Sequence, residues 1–197
     1  LRPEMTPTFA RMMAARSRDI PLPARWYALA NVFRYERPQR GRLREHWQLN
    51  ADLVGVSGVH ADAEILAMAH MIMQSLGATE RDFDIRVSDR RILDTIYDTV
   101  GVDADLRAQV TRLLDRRAKM DGFEPALAEA LGNTEQAGAL IDYLARTTST
   151  SYLEELRVVL EHMGITNMIV DTTVTRGFDY YTGMVFEVHE ISGGERA

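Results

Sequence analysis

The sequence predicts an α+β fold in which an all-helical segment interrupts a core built on a β-sheet. Strand-like patterns occupy the first 88 residues and return from Met168, whereas residues 90 to about 165 carry helix-like patterns only. Glycines mark the breaks between the apolar repeats of the helical part. We therefore predict a first part of the core at 1–88, a helical insertion at 89–167 and a return to the core at 168–197.

The first part of the core is expected to begin with a helix. This helix opens at Thr6-Pro7, with Thr6 as N-cap and Pro7 in the first turn, and runs to about Arg18. The elements expected after it are, in order, a strand at 26–35, a strand at 46–56, a helix at 60–76 closed by a glycine, and a strand at 83–87.

The insertion is expected to hold four or five helices, because apolar residues recur there at helical spacing between glycine breaks. The helical segments lie around 90–100, 103–118, 123–131, 134–146 and 150–163. The strand pattern then returns, through Val170–Thr175 and Tyr180–Val188.

An arginine-rich turn between the first two strands is the most informative feature of the chain. Five arginines of Phe33–Gln48 surround Pro38 and Gly41. Guanidinium groups are planar and permanently charged, and they match phosphate oxygens better than lysine does. Taken alone, the turn fits two interpretations, a phosphate-binding turn or a solvated basic hairpin.

The strand after this turn alternates apolar and polar residues with a period of two. Its apolar face is expected to be buried against helices and consists of Trp47, Leu49, Ala51 and Leu53. Its polar face consists of His46, Gln48, Asn50 and Asp52. A row of hydrogen-bonding groups beside an arginine turn suggests the floor of a ligand site, although an ordinary half-exposed strand has the same alternation.

A second informative run lies near the end of the chain, from Thr175 to Glu187. Gly177 and Gly183 flank the doublet Tyr180-Tyr181 in this run, with Arg176 beside it. The pattern predicts a pair of strands whose turn brings an arginine and phenolic hydroxyls to one surface. An aromatic-rich hairpin within the core is the alternative.

The bulk properties exclude some classes of function. A net charge of -6 argues against general nucleic-acid binding, and no apolar run approaches the ~20 residues of a membrane span. The absence of cysteine excludes disulfides and thiolate catalysis, and with five scattered histidines it leaves no expected zinc or other metal site in the protein. Cytoplasm is the default location. Because the chain starts without Met, we expect a piece of a longer protein.

Three runs resemble those of histidyl-tRNA synthetases, which are class II aminoacyl-tRNA synthetases. The first is Leu1–Thr6 (Leu-Arg-Pro-Glu-Met-Thr), and the second is Phe33–Gln48, which is similar to class II motif 2. The third is Arg176–Tyr181 (Arg-Gly-Phe-Asp-Tyr-Tyr), which is similar to a histidine-specific signature. The resemblance implies an antiparallel sheet flanked by helices, on which histidine and ATP with Mg²⁺ bind. It implies activation of histidine with ATP and transfer to the 3′ end of tRNA(His).

The resemblance also implies roles for individual residues. Arg34, Arg176 and Gln48 match the catalytic positions, with both arginines beside the α-phosphate. The positions that match ATP-binding residues are Arg34, Glu36, Arg42, Arg44 and His46, where many members have a Phe that stacks on adenine. The positions that match histidine-binding residues are Glu4, Thr6, Gln48, Asp52, Arg176, Tyr180 and Tyr181. Among these, Glu4 and Tyr181 match the groups that bracket the imidazole.

Two expectations about the whole protein follow from the resemblance. The full-length protein should be a homodimer, with motif 1 before Leu1 and motif 3 and an anticodon-binding domain after Ala197, so this chain alone should charge tRNA weakly or not at all. The alternative is a synthetase-like regulatory subunit of ATP phosphoribosyltransferase, which binds histidine without charging tRNA. Such paralogues usually lack motif 2 arginines, and Arg34, Arg42 and Arg44 are present here.

Overall fold

The computed structural model describes residues 1–37, 42–117, 120–147, 149–172, 174 and 181–191. Contacts within the chain divide it into two units, Leu1–Ala61 and Asp62–Ala197. The first unit contains a helix and a two-stranded sheet, and the second contains a three-stranded sheet and a series of helices.

The first unit begins with helix α1 (Thr6–Arg16), followed by strands β1 (Ala24–Phe33) and β2 (Glu45–Val54). The predicted N-cap of α1 is wrong by one position. Met5 is the N-cap, without a side-chain cap bond, and Thr6 lies in the first turn. Proline in this turn costs no helical hydrogen bond, since the first amides of a helix have no partner within it.

The pairing of β1 with β2 is antiparallel, and its register decides which side chains share a face. Trp26 lies opposite Asp52 and Ala30 opposite Gln48, so each of these pairs projects to the same side of the sheet. Phe9 of α1 packs on that side, with its ring centroid 5.9 Å from that of Trp26. Helix α1 therefore covers the face of β1 that is continuous with the polar row of β2.

The predicted burial of the apolar face of β2 is wrong. Trp47 is 69% exposed, and its neighbours on this face, Leu49, Tyr27 and Leu29, are also exposed. The physical reason is that β1 has apolar residues on both of its faces, and α1 packs on only one of them. Alternation along β2 alone identifies the two faces but not the one that a helix will cover.

The second unit is organised around strand β3 (Phe83–Asp89), which is the middle strand of its sheet. Strand β4 (Met168–Val170) pairs with β3 in parallel, and β5 (Met184–Glu190) pairs with it antiparallel, so this sheet is mixed. Six of the seven residues of β3 are buried, as expected for a strand covered on both faces. Helix α2 (Val59–Ser75) precedes β3 in the chain.

Within the described residues, five helices follow β3, with bounds close to those predicted from the sequence. They are α3 (Arg90–Val100), α4 (Ala104–Arg116), α5 (Phe123–Leu131), α6 (Thr134–Arg146) and α7 (Ser151–His162). Asp89, Asn133 and Thr150 cap the first turns of α3, α6 and α7 through their side chains. Gly101, the C-cap of α3, has a φ of 76°, which glycine adopts without a steric penalty.

The helices bury aliphatic side chains at helical spacing. Leu153, Leu156 and Leu160 of α7 are fully buried, and Leu114 and Leu140 are equally enclosed on α4 and α6. Within the described residues, no helix has the length and apolarity needed to cross a membrane. The strand predicted through Val170–Thr175 is wrong in its extent, because β4 ends at Val170 and the described residues 171, 172 and 174 lie outside any strand. The strand predicted at Tyr180–Val188 begins at Met184, and Tyr180 itself lies outside the described residues.

We predict that Leu160→Ala lowers the free energy of unfolding by about 2–5 kcal/mol, because it removes a buried side chain and leaves a cavity. The measurement is chemical denaturation followed by far-ultraviolet circular dichroism. Val158→Ala on the same helix is the control, since Val158 is half exposed and should change stability by about 0.5 kcal/mol or less. Equal effects of the two substitutions would contradict the packing of α7.

Alkaline pH should destabilise the second unit through Tyr97. Burial raises the pKa of the Tyr97 phenol above its ordinary value of 10.0, and its oxygen lies 3.0 Å from the hydroxyl of Thr111. Stability from the neutral phenol is fully present below that ordinary value and is lost as the pH rises through the higher folded pKa. Tyr97→Phe should therefore reduce the dependence of the unfolding free energy on pH above 10, whereas Tyr143→Phe, at an exposed site, should leave it unchanged.

Candidate substrate-binding site

Arg34 is the best-anchored residue of the candidate site in the first unit. Its Nε donates to the carbonyl of Pro3 at 2.9 Å, and its Nη2 donates to Oε1 of Gln48 at 3.1 Å. Its backbone amide also donates to the carbonyl of Arg44 at 2.9 Å. The structure thus joins the N-terminal segment, the end of β1 and the middle of β2 at one guanidinium, which has five N–H donors in a fixed plane.

The two loop arginines lie around Glu36. Nη1 of Arg42 is 3.0 Å from a carboxylate oxygen of Glu36, and Nε of Arg44 donates to the backbone carbonyl of Glu36 at 3.2 Å. The guanidinium of Arg44 also lies 4.8 Å from the ring centroid of Tyr35. Residues 38–41, which precede Arg42 in the turn, lie outside the described part of the chain.

The polar row of β2 is half-buried on the face beside α1. Burial raises the pKa of the Asp52 carboxyl above its ordinary value. The buried Oδ1 of Asn50 has no hydrogen-bond partner within the described residues. His46, Gln48, Asn50 and Asp52 follow one another at a spacing of roughly 7 Å along the strand. A partly desolvated carboxylate and an unsatisfied amide oxygen on one face suit the N–H groups of a small ligand.

Glu4 and Thr6 belong to the N-terminal segment beside this row. Arg2 fixes the segment to β1, because its carbonyl accepts from the amide of Phe33 at 2.8 Å and its Nη2 donates to the carbonyl of Asn31 at 2.9 Å. Glu4 is exposed and Thr6 is half-buried at the start of α1. Their assignment to histidine stays a prediction.

In the second unit, Tyr181 lines a cavity of about 400 Å³. The backbone carbonyl of Tyr181 accepts a hydrogen bond from Nη1 of Arg90 at 3.3 Å. The other residues that line the cavity are Asp62, Ile65, Val174, Met184, Val185, Phe186 and Glu187. Arg176 and Tyr180, which the sequence also assigns to the site, lie outside the described residues.

Sequence reasoning did not find Asp62 as a residue of this cavity. Asp62 is the acidic residue in the first turn of α2. Acidic residues are favourable there because they interact with the helix dipole, so the position by itself does not indicate a binding site. Its contact with Tyr152 joins residues 90 positions apart. Periodicity within one helix gives no signal for such a contact.

Comparison with known proteins gives a consistent result along the chain. The family model described as "Histidyl-tRNA synthetase" matches residues 1–195. The chain is 36% identical to a histidine–tRNA ligase of Leptospira biflexa, over 98% of this chain and 48% of that protein. It is 38% identical to a histidine–tRNA ligase of Haloarcula marismortui, over 98% of this chain and 49% of that protein. The chain therefore spans about half the length of these relatives.

Solved structures share the fold. A histidyl-tRNA synthetase from Nostoc sp. PCC 7120 superposes with a TM-score of 0.78 at 22% identity, over 98% of this chain and 50% of that one. A Bacillus halodurans protein described as an ATP phosphoribosyltransferase regulatory subunit/histidyl-tRNA synthetase superposes with a TM-score of 0.79 at 23% identity, over 100% of this chain and 55% of that one. These structures agree with the predicted α+β architecture. With a family match over nearly all of its residues, the chain belongs to the histidyl-tRNA synthetase family.

Proposed function

We propose that the protein containing this chain is a histidine–tRNA ligase, which activates histidine with ATP and transfers it to tRNA(His). The observation that carries this proposal is the anchoring of Arg34 between Pro3 and Gln48. It fixes a guanidinium beside a strand face that carries the amides and carboxylate suited to an amino acid. Membership of the family supports the same reading.

The arginines suit the polyphosphate of ATP. Two donors of Arg34 are engaged by protein oxygens, which hold the guanidinium plane in place while other N–H groups of the same fork can reach an α-phosphate oxygen. The carboxylate of Glu36 pairs with Arg42, and the backbone carbonyl of Glu36 accepts from Arg44. These contacts keep both guanidinium groups close to the turn. Preorganised cations of this kind stabilise the charge that develops at phosphorus.

The polar row of β2 suits the α-amino group of an amino acid. The ammonium group has three N–H donors, and Asp52 and Gln48 supply acceptors on one face. Binding a cation restores the favourable environment of a carboxylate whose pKa burial raises, because an adjacent positive charge stabilises the ionised form. The unpaired Oδ1 of Asn50 is a further acceptor on the same face.

The proposed reaction has two steps. A carboxylate oxygen of histidine forms a bond to the α-phosphorus of ATP, and the bond from that phosphorus to pyrophosphate breaks. A hydroxyl of the tRNA 3′-terminal ribose then attacks the acyl carbon of histidyl-adenylate, and AMP leaves while the hydroxyl proton passes to solvent or the departing phosphate. The protein positions the reactants and stabilises charge, with little need for a side-chain acid or base.

The remaining assignments rest on the family resemblance. Glu4 and Tyr181 are assigned to the imidazole, Arg176 to the α-phosphate and carboxylate, and Thr6 and Tyr180 to bound histidine. His46 and Glu36 are assigned to the adenine side of ATP. The substrate is taken as Mg²⁺-bound ATP. A class II, homodimeric enzyme of the cytoplasm, with tRNA(His) as its partner, belongs to the same proposal.

A second candidate function is that of a histidine-binding regulatory subunit. The Bacillus halodurans structure described as an ATP phosphoribosyltransferase regulatory subunit/histidyl-tRNA synthetase has the same fold as this chain. The paired contacts of Arg34 and the two arginines at Glu36 favour the ligase, because a regulatory subunit does not need them for phosphate chemistry. Histidine-dependent exchange of pyrophosphate into ATP separates the two: the ligase catalyses it, and a subunit that only binds histidine does not.

We predict that Arg34→Lys lowers kcat for this exchange by about 10²–10³-fold, the effect of losing one preorganised donor to a developing charge. Lysine is a point charge and cannot contact Pro3, Gln48 and a phosphate oxygen at once. Arg11→Lys on the exposed surface of α1 is the matched control and should retain the wild-type rate. A near-normal rate in Arg34→Lys would reject the role of this guanidinium.

Glu4→Gln should reduce discrimination between histidine and other amino acids. A site that pairs with both imidazole nitrogens rejects analogues that leave its polar groups unpaired, by as much as ~10⁴-fold. The measurement is pyrophosphate exchange across a panel of amino acids, expressed as ratios of kcat/KM. Glu129→Gln, at an exposed position of α5, controls for the loss of a negative charge. Wild-type selectivity in Glu4→Gln would show that another residue recognises the imidazole.

A further inference from the structure

Asn50 is the residue of the polar row whose side-chain oxygen finds no partner in the described part of the chain. It lies in the middle of β2, between Gln48 and Asp52 on the same face of the strand. Its Oδ1 is buried and accepts no hydrogen bond from any described residue. Buried polar atoms of native proteins are nearly always paired, so an unpaired acceptor on a face that is proposed to bind a ligand requires a physical explanation.

The neighbours of Asn50 within the first unit do not supply the missing donor. Ala28 of β1 lies directly opposite Asn50 in the antiparallel pair and has no polar side-chain atom. Gln48 and Asp52 are two residues away on either side, a spacing of roughly 7 Å along the strand. An ionised Asp52 is an acceptor only. The oxygen of Asn50 is therefore available to a donor from outside the strand pair.

A cation already occupies the Gln48 end of the polar row. Nη2 of Arg34 donates to Oε1 of Gln48 at 3.1 Å, which uses one of the two lone pairs of that oxygen. A second cation on the same oxygen would lie close to the guanidinium and would be repelled by it. Gln48 is therefore a weaker site for an ammonium group than the two positions that follow it in the row, Asn50 and Asp52.

The dimensions of an amino acid favour the middle position of the row for its ammonium group. In the proposed reaction the carboxylate of the amino acid faces Arg34, because it attacks the phosphorus that this guanidinium contacts. The ammonium nitrogen and the carboxyl carbon of an α-amino acid are about 2.5 Å apart, since both are bonded to one carbon. Along the strand, Asn50 is roughly 7 Å from Gln48, and Asp52 is roughly 13 Å from it. An ammonium group this close to its carboxylate falls over Asn50, on the side toward Asp52.

We propose that Asn50 is a specificity-determining residue whose Oδ1 accepts a hydrogen bond from the α-ammonium group of the bound amino acid, beside the carboxylate of Asp52. The inference rests on the proposed function for the identity of the amino acid. It deepens that function, because the family resemblance gives Asn50 no role. Asp52 supplies the negative charge that the ammonium group requires, and the neutral amide of Asn50 fixes the direction of one of its N–H bonds.

The test compares three ligands that separate the ammonium group from the rest of histidine. Histidine itself has both groups, histamine lacks the carboxylate, and imidazolepropionate lacks the ammonium group. Binding to the full protein is measured by isothermal titration calorimetry, with the two analogues measured by their competition with histidine. Asn50→Ala should weaken the binding of histidine and histamine by about 10–100-fold, the loss of one hydrogen bond to a charged group, and should change the Kd of imidazolepropionate by less than about twofold.

Two further variants control for the shape of the side chain and for the loss of an amide. Asn50→Asp keeps the size of the side chain and an acceptor oxygen at the same position. Its ratio of the Kd of imidazolepropionate to the Kd of histidine should therefore be at least that of the wild type. Gln109→Ala removes an amide at an exposed position of α4 and should bind all three ligands like the wild type.

The possible failures are distinguishable. A wild-type protein that binds no histidine would reject the proposed function and, with it, the role of Asn50. Histidine binding by the wild type with an unchanged Kd in Asn50→Ala would reject the role of Asn50 alone. Equal losses for all three ligands would reject it as well, because Asn50 would then only support the shape of the site. If Asn50→Ala does not fold, Asn50→Val decides the matter, since valine is favourable in a strand and has no acceptor.

Discussion

The register between β1 and β2 is the constraint on which the first unit and its candidate site depend. It sets Trp26 opposite Asp52 and Ala30 opposite Gln48, so the side of the sheet that packs on α1 is also the side that carries the polar row. A shift of one residue would move Gln48 and Asp52 to the opposite face, because side chains alternate along a strand. Arg34 reinforces the register by bonding to Gln48 across the pair.

The second unit depends on a buried strand and on the contacts of one buried carboxylate. Its central strand, β3, is buried on both faces and passes without a gap into α3, whose capping residue Asp89 is also the buried partner of Arg91. The side chain of Asp89 accepts from the amide of Arg91 at 2.9 Å and pairs with the guanidinium of the same residue. One carboxylate therefore caps a helix and fixes the arginine that contacts Tyr152. A buried charge with several partners avoids the cost of an unpaired one.

Features that depend on neighbouring residues could be predicted from the sequence, and features that depend on distant pairing could not. The bounds of α5 and α6 match the predicted ones because glycine breaks and apolar spacing are local signals. The predicted burial of the Trp47 face was wrong, because burial depends on the side of β1 against which α1 packs. The contact of Asp62 with Tyr152 crosses 90 positions and leaves no local signal. The division of the chain at 89 and 167, and the assigned roles of the site residues, stay predictions.

The distribution of tryptophan has a practical consequence for studying this protein. Both tryptophans of the chain, Trp26 and Trp47, belong to the first unit, and their surroundings differ. Trp26 packs against Phe9 beneath α1, whereas Trp47 faces solvent on the apolar side of the sheet. Intrinsic fluorescence excited at the indole band therefore reports on the first unit alone. A shift of the emission to shorter wavelength in the folded protein would indicate that another surface has covered Trp47. The second unit contains no tryptophan and contributes no indole emission to the same spectrum.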